Sequence, residues 1–75
     1  MKELLISIVK SLVEAPDEVS VNEIDRGGTV VFELTVGQDD VGRVIGKQGR
    51  IAKAIRMVMK AASIRENKRV IVEIL

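Results

Sequence analysis

The chain has no cysteine, histidine, tyrosine or tryptophan, and Phe32 is its only aromatic residue. Without cysteine it can form neither a disulfide nor a thiolate metal site. Without histidine it lacks the commonest metal ligand and the commonest general base near neutral pH. The remaining carboxylates and lysines show no spacing typical of a catalytic constellation. The sequence therefore predicts a protein that is not an enzyme and that uses no metal or cofactor.

Long apolar runs are missing as well. The longest candidate near the N-terminus, 4–9, is shorter than a signal-peptide core, and Lys10 interrupts it. A bilayer-spanning helix needs roughly 20 apolar residues. The absence of cysteine is compatible with a reducing compartment. We therefore expect a cytoplasmic chain without membrane insertion.

The length of 75 residues accommodates one small domain, predicted to cover residues 1–75. Charge is distributed very unevenly along it. The segment 41–60 holds half of the twelve basic residues and none of the eleven acidic ones, so it carries +6 and the rest carries −5. This asymmetry favours an anionic partner, although the net charge of +1 does not. The six basic residues are Arg43, Lys47, Arg50, Lys53, Arg56 and Lys60.

The first half of the chain predicts one helix and a hairpin. Apolar residues at helical spacing predict a helix that ends near Glu14 or Ala15, because the residue before Pro16 avoids helical dihedrals. Gly27 and Gly28 form a hairpin signal between two predicted strands, 19–25 and 29–36.

The second half predicts two helices and a strand. Asp39 and Asp40 suit the positive end of a helix dipole, and a brief helix should end at Gly46. A longer helix is predicted from Arg50 to about Arg65, followed by a strand over 70–74. One side of this helix should be a buried stripe: Ile51, Ile55, Val58 and Ala62. The opposite side should be an exposed basic ridge: Lys53, Arg56 and Lys60. Met57 and Met59 are predicted to be packing residues, and Asn67 is predicted to end the helix in a left-handed conformation.

This order predicts an α+β fold, α-β-β-α-α-β. The hairpin makes the first two strands antiparallel, and the helical crossover makes the third strand parallel to the second. Three helices should then cover one face of a three-stranded mixed sheet. Val31 and Ile71 fall on the other face, where we expect them to be exposed as a weak partner surface.

The segment Gly46-Lys47-Gln48-Gly49 connects the two predicted helices. A helix N-terminus offers unpaired N–H groups and partial positive charge to a phosphate, and glycine lets a backbone approach closely. A Walker loop is excluded, because Gly42 and Gly46 are separated by three residues instead of four and Gln48 follows the lysine in place of Ser or Thr. Two interpretations remain open here, a phosphate clamp and a plain turn between helices.

VIGKQGRIAKAI, residues 44–55, resembles the core of a KH domain, with 46–49 as its GxxG loop. The element order resembles the type II arrangement, and the whole chain is similar to the small stand-alone bacterial KH proteins of the KhpA type. The resemblance implies a single-stranded RNA-binding protein, an RNA chaperone or post-transcriptional regulator, whose loop clamps about four nucleotides. It also implies a homodimer, or a heterodimer with a larger KH-containing protein.

By this resemblance the RNA-binding residues are Gly46, Lys47, Gln48, Gly49, Arg50, Arg43, Ile45 and Lys53. Val44, Ile45 and Ile51 are expected to form or support an apolar groove for the bases. Arg56 and Lys60 are expected to contribute long-range attraction only. The alternative function is a protein-interaction or dimerisation module that has the KH fold but binds little RNA, because the core is small and the sheet has two open edges.

Overall fold

The computed structural model describes all residues, Met1–Leu75. Three helices and three strands alternate with single turns of 3₁₀ helix at Pro16–Glu18, Gln38–Asp40 and Lys47–Gly49. The helices are α1 (Lys2–Lys10), α2 (Val41–Ile45) and α3 (Arg50–Arg65), and the strands are β1 (Ser20–Asp25), β2 (Thr29–Thr35) and β3 (Arg69–Ile74). The predicted order α-β-β-α-α-β is confirmed.

The sheet has the strand order β1-β2-β3, with β1 antiparallel and β3 parallel to β2. Gly27 and Gly28 both have positive φ, +58° and +89°, as a two-residue hairpin turn of type I′ requires. The Arg26 N–H closes the turn by donating to the Thr29 carbonyl at 2.7 Å. The predicted hairpin and mixed sheet are therefore confirmed.

One apolar core lies between the sheet and the helices. Its completely buried side chains come from the sheet and from all three helices, with Phe32 and Leu34 on β2, Leu5 on α1, Val44 on α2 and Met59 on α3. Alternate residues of β2 point into this core because successive strand side chains face opposite sides. The helices thus cover a single face of the sheet, as the pattern predicts.

The prediction that α1 continues to Glu14 or Ala15 is wrong, because the helix ends at Lys10. The backbone N–H groups of Glu14 and Ala15 donate to the two carboxylate oxygens of Asp40, at 3.1 and 3.0 Å. In a longer α1 these N–H groups would donate to carbonyls of the helix. Here they donate to the carboxylate of Asp40 instead. Asp40 is 2% exposed and makes no side-chain cap for α2, so it is more than the helix-dipole partner that its position predicts.

The predicted core stripe of α3 is also wrong in part. The buried residues are Ala52, Ile55, Met59 and Ser63. The centre of this stripe lies about 75° around the helix from the centre of the predicted one, and the two stripes share only Ile55. The small side chains of Ala52 and Ser63 let α3 approach its neighbours closely. Met57 and Val58 are 67% and 45% exposed, so Met59 alone of the two methionines packs in the core.

The open face of the sheet differs from the prediction at Val31, which is only 6% exposed. Val31 lies on the central strand, directly between Ile24 on β1 and Ile71 on β3, and these neighbours cover it. Ile71 lies on the edge strand and is 46% exposed, as predicted.

Candidate nucleic-acid interface

The loop 46–49 joins α2 to α3 through an unusual run of backbone conformations. Gly46, Gln48 and Gly49 all have positive φ, at +73°, +57° and +74°. Such angles are readily available to glycine and uncommon for other residues. The loop is closed by the N–H of Gly49, which donates to the carbonyl of Gly46 at 3.3 Å. It is therefore a fixed turn whose outer residues, Lys47 and Gln48, are exposed.

The two glycines of the loop have different surroundings. A Cβ on Gly46 would collide with the side chain of Ile51, reaching its Cγ1 and lying 2.9 Å from its Cβ. A Cβ on Gly49 would have no heavy atom within 4 Å. Gly46 is thus required by packing inside the protein, whereas Gly49 leaves open space at the start of α3. Of the two, Gly49 is where an external backbone could approach.

Helix α3 begins at this open position without a cap. No side chain accepts a hydrogen bond from its first turn, and that turn contains no acidic residue. The N–H of Arg50 donates to the Lys47 carbonyl within the loop. The positive end of the helix dipole is open to an anion, since no acidic side chain lies against it. Arg50 and Lys53 are exposed on the first turn and extend this positive region.

The six basic residues of 41–60 differ in their partners. Only Arg43 forms an ion pair, with its guanidinium 3.1 Å from Glu14 and 3.2 Å from the buried Asp40. The other five make no ion pair in the structure, so their charge is uncompensated at short range. Arg43 was predicted beside the loop on sequence alone, and the structure shows that it also connects α2 to the segment after α1.

Apolar residues beside the loop divide between the core and the surface. Val44 is completely buried and supports α2 from inside, whereas Ile45 is 39% exposed. Ile51 is half-buried and lies over Gly46. Of the three residues predicted for a groove, Ile45 and Ile51 thus retain accessible apolar surface next to the loop.

Arg56 makes a contact that the sequence did not predict. Its Nε donates to the carbonyl of Val72 at 3.2 Å, so the side chain crosses from α3 to the edge strand β3. Helical periodicity shows that Arg56 is on a polar face, but the carbonyl that it meets belongs to a strand 16 residues further along the chain. No local pattern in the sequence contains that contact.

Comparison with known proteins agrees with this geometry. Residues 2–74 match the family described as KhpA/KhpB, KH domain. The chain belongs to this family. It is 60% identical to a protein of Clostridium acetobutylicum and 59% identical to one of Clostridium perfringens, with both chains covered completely in each comparison.

A relative in Chlamydia trachomatis is 45% identical over the whole of this chain and 96% of its own length. All three relatives bear the name RNA-binding protein KhpA. No solved structure matched the chain. The resemblance to the small KhpA-type KH proteins is therefore confirmed. None of the helices has the length and apolar content that crossing a membrane requires.

Proposed function

We propose that this protein binds single-stranded RNA and that the loop 46–49 holds the RNA sugar-phosphate backbone. The observation that carries the proposal is the open space at Gly49 beside the uncapped start of α3. A phosphate placed there meets backbone N–H groups and the helix dipole together. The name shared by the relatives, RNA-binding protein, supports the same ligand.

The residues have distinct proposed roles. Gly46 and Gly49 give the loop its shape, Lys47 and Gln48 extend from it toward the backbone, and Arg50 and Lys53 add positive charge. Ile45 contacts bases beside the loop, and Val44 supports it from the core. We propose that Arg43 acts mainly by holding α2 to Glu14 and Asp40, since two carboxylates engage its guanidinium.

The biological role follows from what such a module can do. One domain over residues 1–75, with no recognisable catalytic constellation, would act in the cytoplasm by holding RNA as a chaperone or a post-transcriptional regulator. The site contains no aromatic side chain, so it lacks the stacking that supplies about 1–3 kcal/mol per base in other modules. We therefore expect modest affinity at a single loop.

Replacing Lys47 and Gln48 with Asp tests the loop directly. Both residues are exposed, and Asp tolerates the left-handed conformation of position 48, so the fold should survive. We expect binding of a fluorescent oligouridylate, followed by polarisation, to fall about a hundredfold or more. The control Lys2→Asp/Ser7→Asp introduces the same charge change on α1 and should bind within about threefold of wild type. Equal loss in both double variants would show that overall charge, and not the loop, determines binding.

A second proposal concerns self-association. A groove of about 180 Å³ between α1 and α3 is lined only by apolar residues: Ile8, Leu12, Ile51, Ala54, Ile55 and Val58. Val58 and Leu12 remain 45% and 37% exposed there. We propose that a second copy, or a KH-containing partner, covers this surface, so that the open edges of the sheet are not the interface. Two loops would then act in one particle, which offsets the modest affinity of each.

Sedimentation across a concentration range tests this surface. Val58→Glu should yield a monomer at concentrations where wild type is dimeric, because a charge in an apolar interface cannot be solvated. Ile64→Glu is the control, since Ile64 is 72% exposed and lies outside this groove. A wild-type protein that stays monomeric at every concentration would exclude the homodimer.

A further inference from the structure

Ile51 contacts both the loop 46–49 and the apolar groove between α1 and α3, which we call the α1–α3 groove. It lines the groove on the α3 side, and Ile8 and Leu12 line it on the other side. The same side chain packs over Gly46, because its Cβ lies 2.9 Å from where a Cβ of residue 46 would be. The proposed RNA site and the proposed self-association surface therefore share one side chain.

The start of α2 is connected to the opposite wall of the groove. Leu12 belongs to that wall, and the chain that follows it donates two backbone N–H groups, from Glu14 and Ala15, to the carboxylate of Asp40. Asp40 directly precedes α2. Arg43 within α2 adds an ion pair with Glu14 at 3.1 Å. The position of α2 therefore depends on the chain segment that forms this wall.

Helix α2 is too short to hold the loop by itself. It has five residues, Val41–Ile45, and Val44 is the only one that is buried. So short a helix has little stability of its own, because forming its first turn is unfavourable. The loop 46–49 follows directly from it. The two walls of the α1–α3 groove, which hold α2 at its start and Gly46 at its end, therefore determine where the loop lies.

The exposed side of α3 at this groove suits the α3 helix of a second copy. Ile51, Ala54 and Val58 line the groove, and Ala61 continues the row, at successive spacings of three, four and three residues. This spacing is typical of two helices that pack along their length. Ala54 and Ala61 are exposed and small, so a neighbouring helix can approach closely. A second copy presents the same row, as a twofold interface requires.

Covering the groove restricts the motion of both walls. Side chains in a packed interface have few gaps into which they can move. Ile51 and Leu12 would then be fixed in the dimer, and α2 and the loop would be fixed with them. A loop that is already fixed loses less conformational entropy when it binds a ligand. Such a coupling between two sites is reciprocal, so the ligand must also strengthen the dimer.

We propose that self-association at the α1–α3 groove and RNA binding at the loop 46–49 strengthen each other, and that Ile51 is the positioning residue that couples them. Each loop of the dimer binds RNA about tenfold more tightly than the loop of a monomer, a typical coupling between two protein sites. This regulation rests on the RNA binding and the self-association proposed above. It differs from multivalent binding because it acts on a strand that occupies one loop.

Sedimentation of wild type with and without tetrauridylate tests the coupling. Four nucleotides match the length that one KH loop clamps. Fluorescence polarisation establishes the concentration at which the strand saturates the protein. Because both loops contribute, we expect saturating RNA to lower the dimer dissociation constant about a hundredfold, tenfold for each loop. A dissociation constant that stays the same while RNA is bound would show that the coupling is wrong and that RNA binding stands.

Ile51→Ala and Ile8→Ala test the role of Ile51. Both isoleucines are half-buried and line the same groove, so the two substitutions remove the same atoms from one surface. Each variant is compared with itself, with and without tetrauridylate, so a weaker dimer does not affect the ratio. The ratio should remain near a hundredfold in Ile8→Ala and fall below about tenfold in Ile51→Ala. Equal ratios would overturn the role of Ile51 and indicate that RNA only reduces the repulsion between basic helices.

Amide chemical shifts of ¹⁵N-labelled wild type give a test that needs no variant. The amides of 46–49 do not line the groove, yet they should shift when the dimer is diluted into monomers without RNA. Loop amides that do not shift on dissociation would overturn the coupling, whether or not Ile51→Ala folds. A wild type that remains monomeric would show that self-association is wrong, and the coupling with it. Failure of wild type to bind tetrauridylate would instead show that the proposed RNA site is wrong.

Discussion

Ile51 packs over Gly46 so closely that a Cβ at position 46 would lie 2.9 Å from the Cβ of Ile51. Gly46 also has a φ of +73°, a conformation that residues with a side chain rarely adopt. Gly49, three residues later, has a similar φ of +74° but open space beside it. The two glycines of one motif are therefore needed for different reasons, packing at Gly46 and conformation alone at Gly49.

Replacing each glycine with alanine should show how much packing and backbone conformation each contribute to stability. We expect Gly46→Ala to lower the free energy of unfolding by about 3 kcal/mol, from backbone strain and overpacking together. Gly49→Ala should lower the free energy of unfolding by about 1 kcal/mol, because only the left-handed conformation disfavours alanine there. Urea denaturation followed by circular dichroism measures both. Equal losses would show that Ile51 moves aside without cost.

Asp40 should be the most sensitive acidic residue of the chain. Asp40→Ala removes the acceptors for the N–H groups of Glu14 and Ala15 and a partner of Arg43. Both hydrogen bonds are part-buried. Since losing the partner of such a donor costs about 1–3 kcal/mol, we expect a total loss of about 3 kcal/mol. Asp39→Ala is the matched control, because Asp39 is exposed, and it should change stability by less than about 0.5 kcal/mol. Thermal unfolding of the two variants compares them, and similar melting temperatures would contradict the role assigned to Asp40.

Asp40 also illustrates what the sequence could and could not predict. Hydrophobic periodicity and turn residues predict the element order, the hairpin at Gly27 and Gly28 and the stop at Asn67, because these depend on residues close together in the chain. The end of α1 depends on hydrogen bonds between Asp40 and residues 25 and 26 positions earlier. A local pattern contains no information about such a pair.

In the candidate site, too, some features can be predicted from the sequence and others arise only from tertiary packing. The loop 46–49 and its basic neighbours are contiguous, so a motif identifies them. The different surroundings of Gly46 and Gly49 and the contact of Arg56 with Val72 arise only when α3 packs against its neighbours. The core stripe of α3 was misplaced because its apolar arc is wider than the buried surface. One side of that arc lines the groove between α1 and α3 and stays partly exposed.

Two methionines of α3 test that corrected stripe. Met59 is completely buried, and Met57 is 67% exposed. Met59→Ala should cost about 2–5 kcal/mol through lost burial and the cavity left behind, whereas Met57→Ala should change stability by less than about 0.5 kcal/mol. Both substitutions remove the same atoms from the same helix, so helix propensity cancels in the comparison. The free energies of unfolding come from urea titration, and a large loss at Met57 would support the sequence prediction that both methionines are packing residues.

The dependence of RNA affinity on salt should distinguish Arg50 from Arg43. For a single strand, log affinity falls with log salt by about 0.7 for each phosphate that the protein neutralises. Arg50 is exposed at the start of α3 and makes no ion pair, so Arg50→Gln should reduce the slope by about 0.7. Arg43 is engaged by Glu14 and Asp40, so Arg43→Gln should lower stability and leave the slope unchanged. Titrations with one oligouridylate at several salt concentrations give both slopes. A reduced slope in Arg43→Gln would show that Arg43 leaves its carboxylates to contact phosphate, as its place beside the loop first suggested.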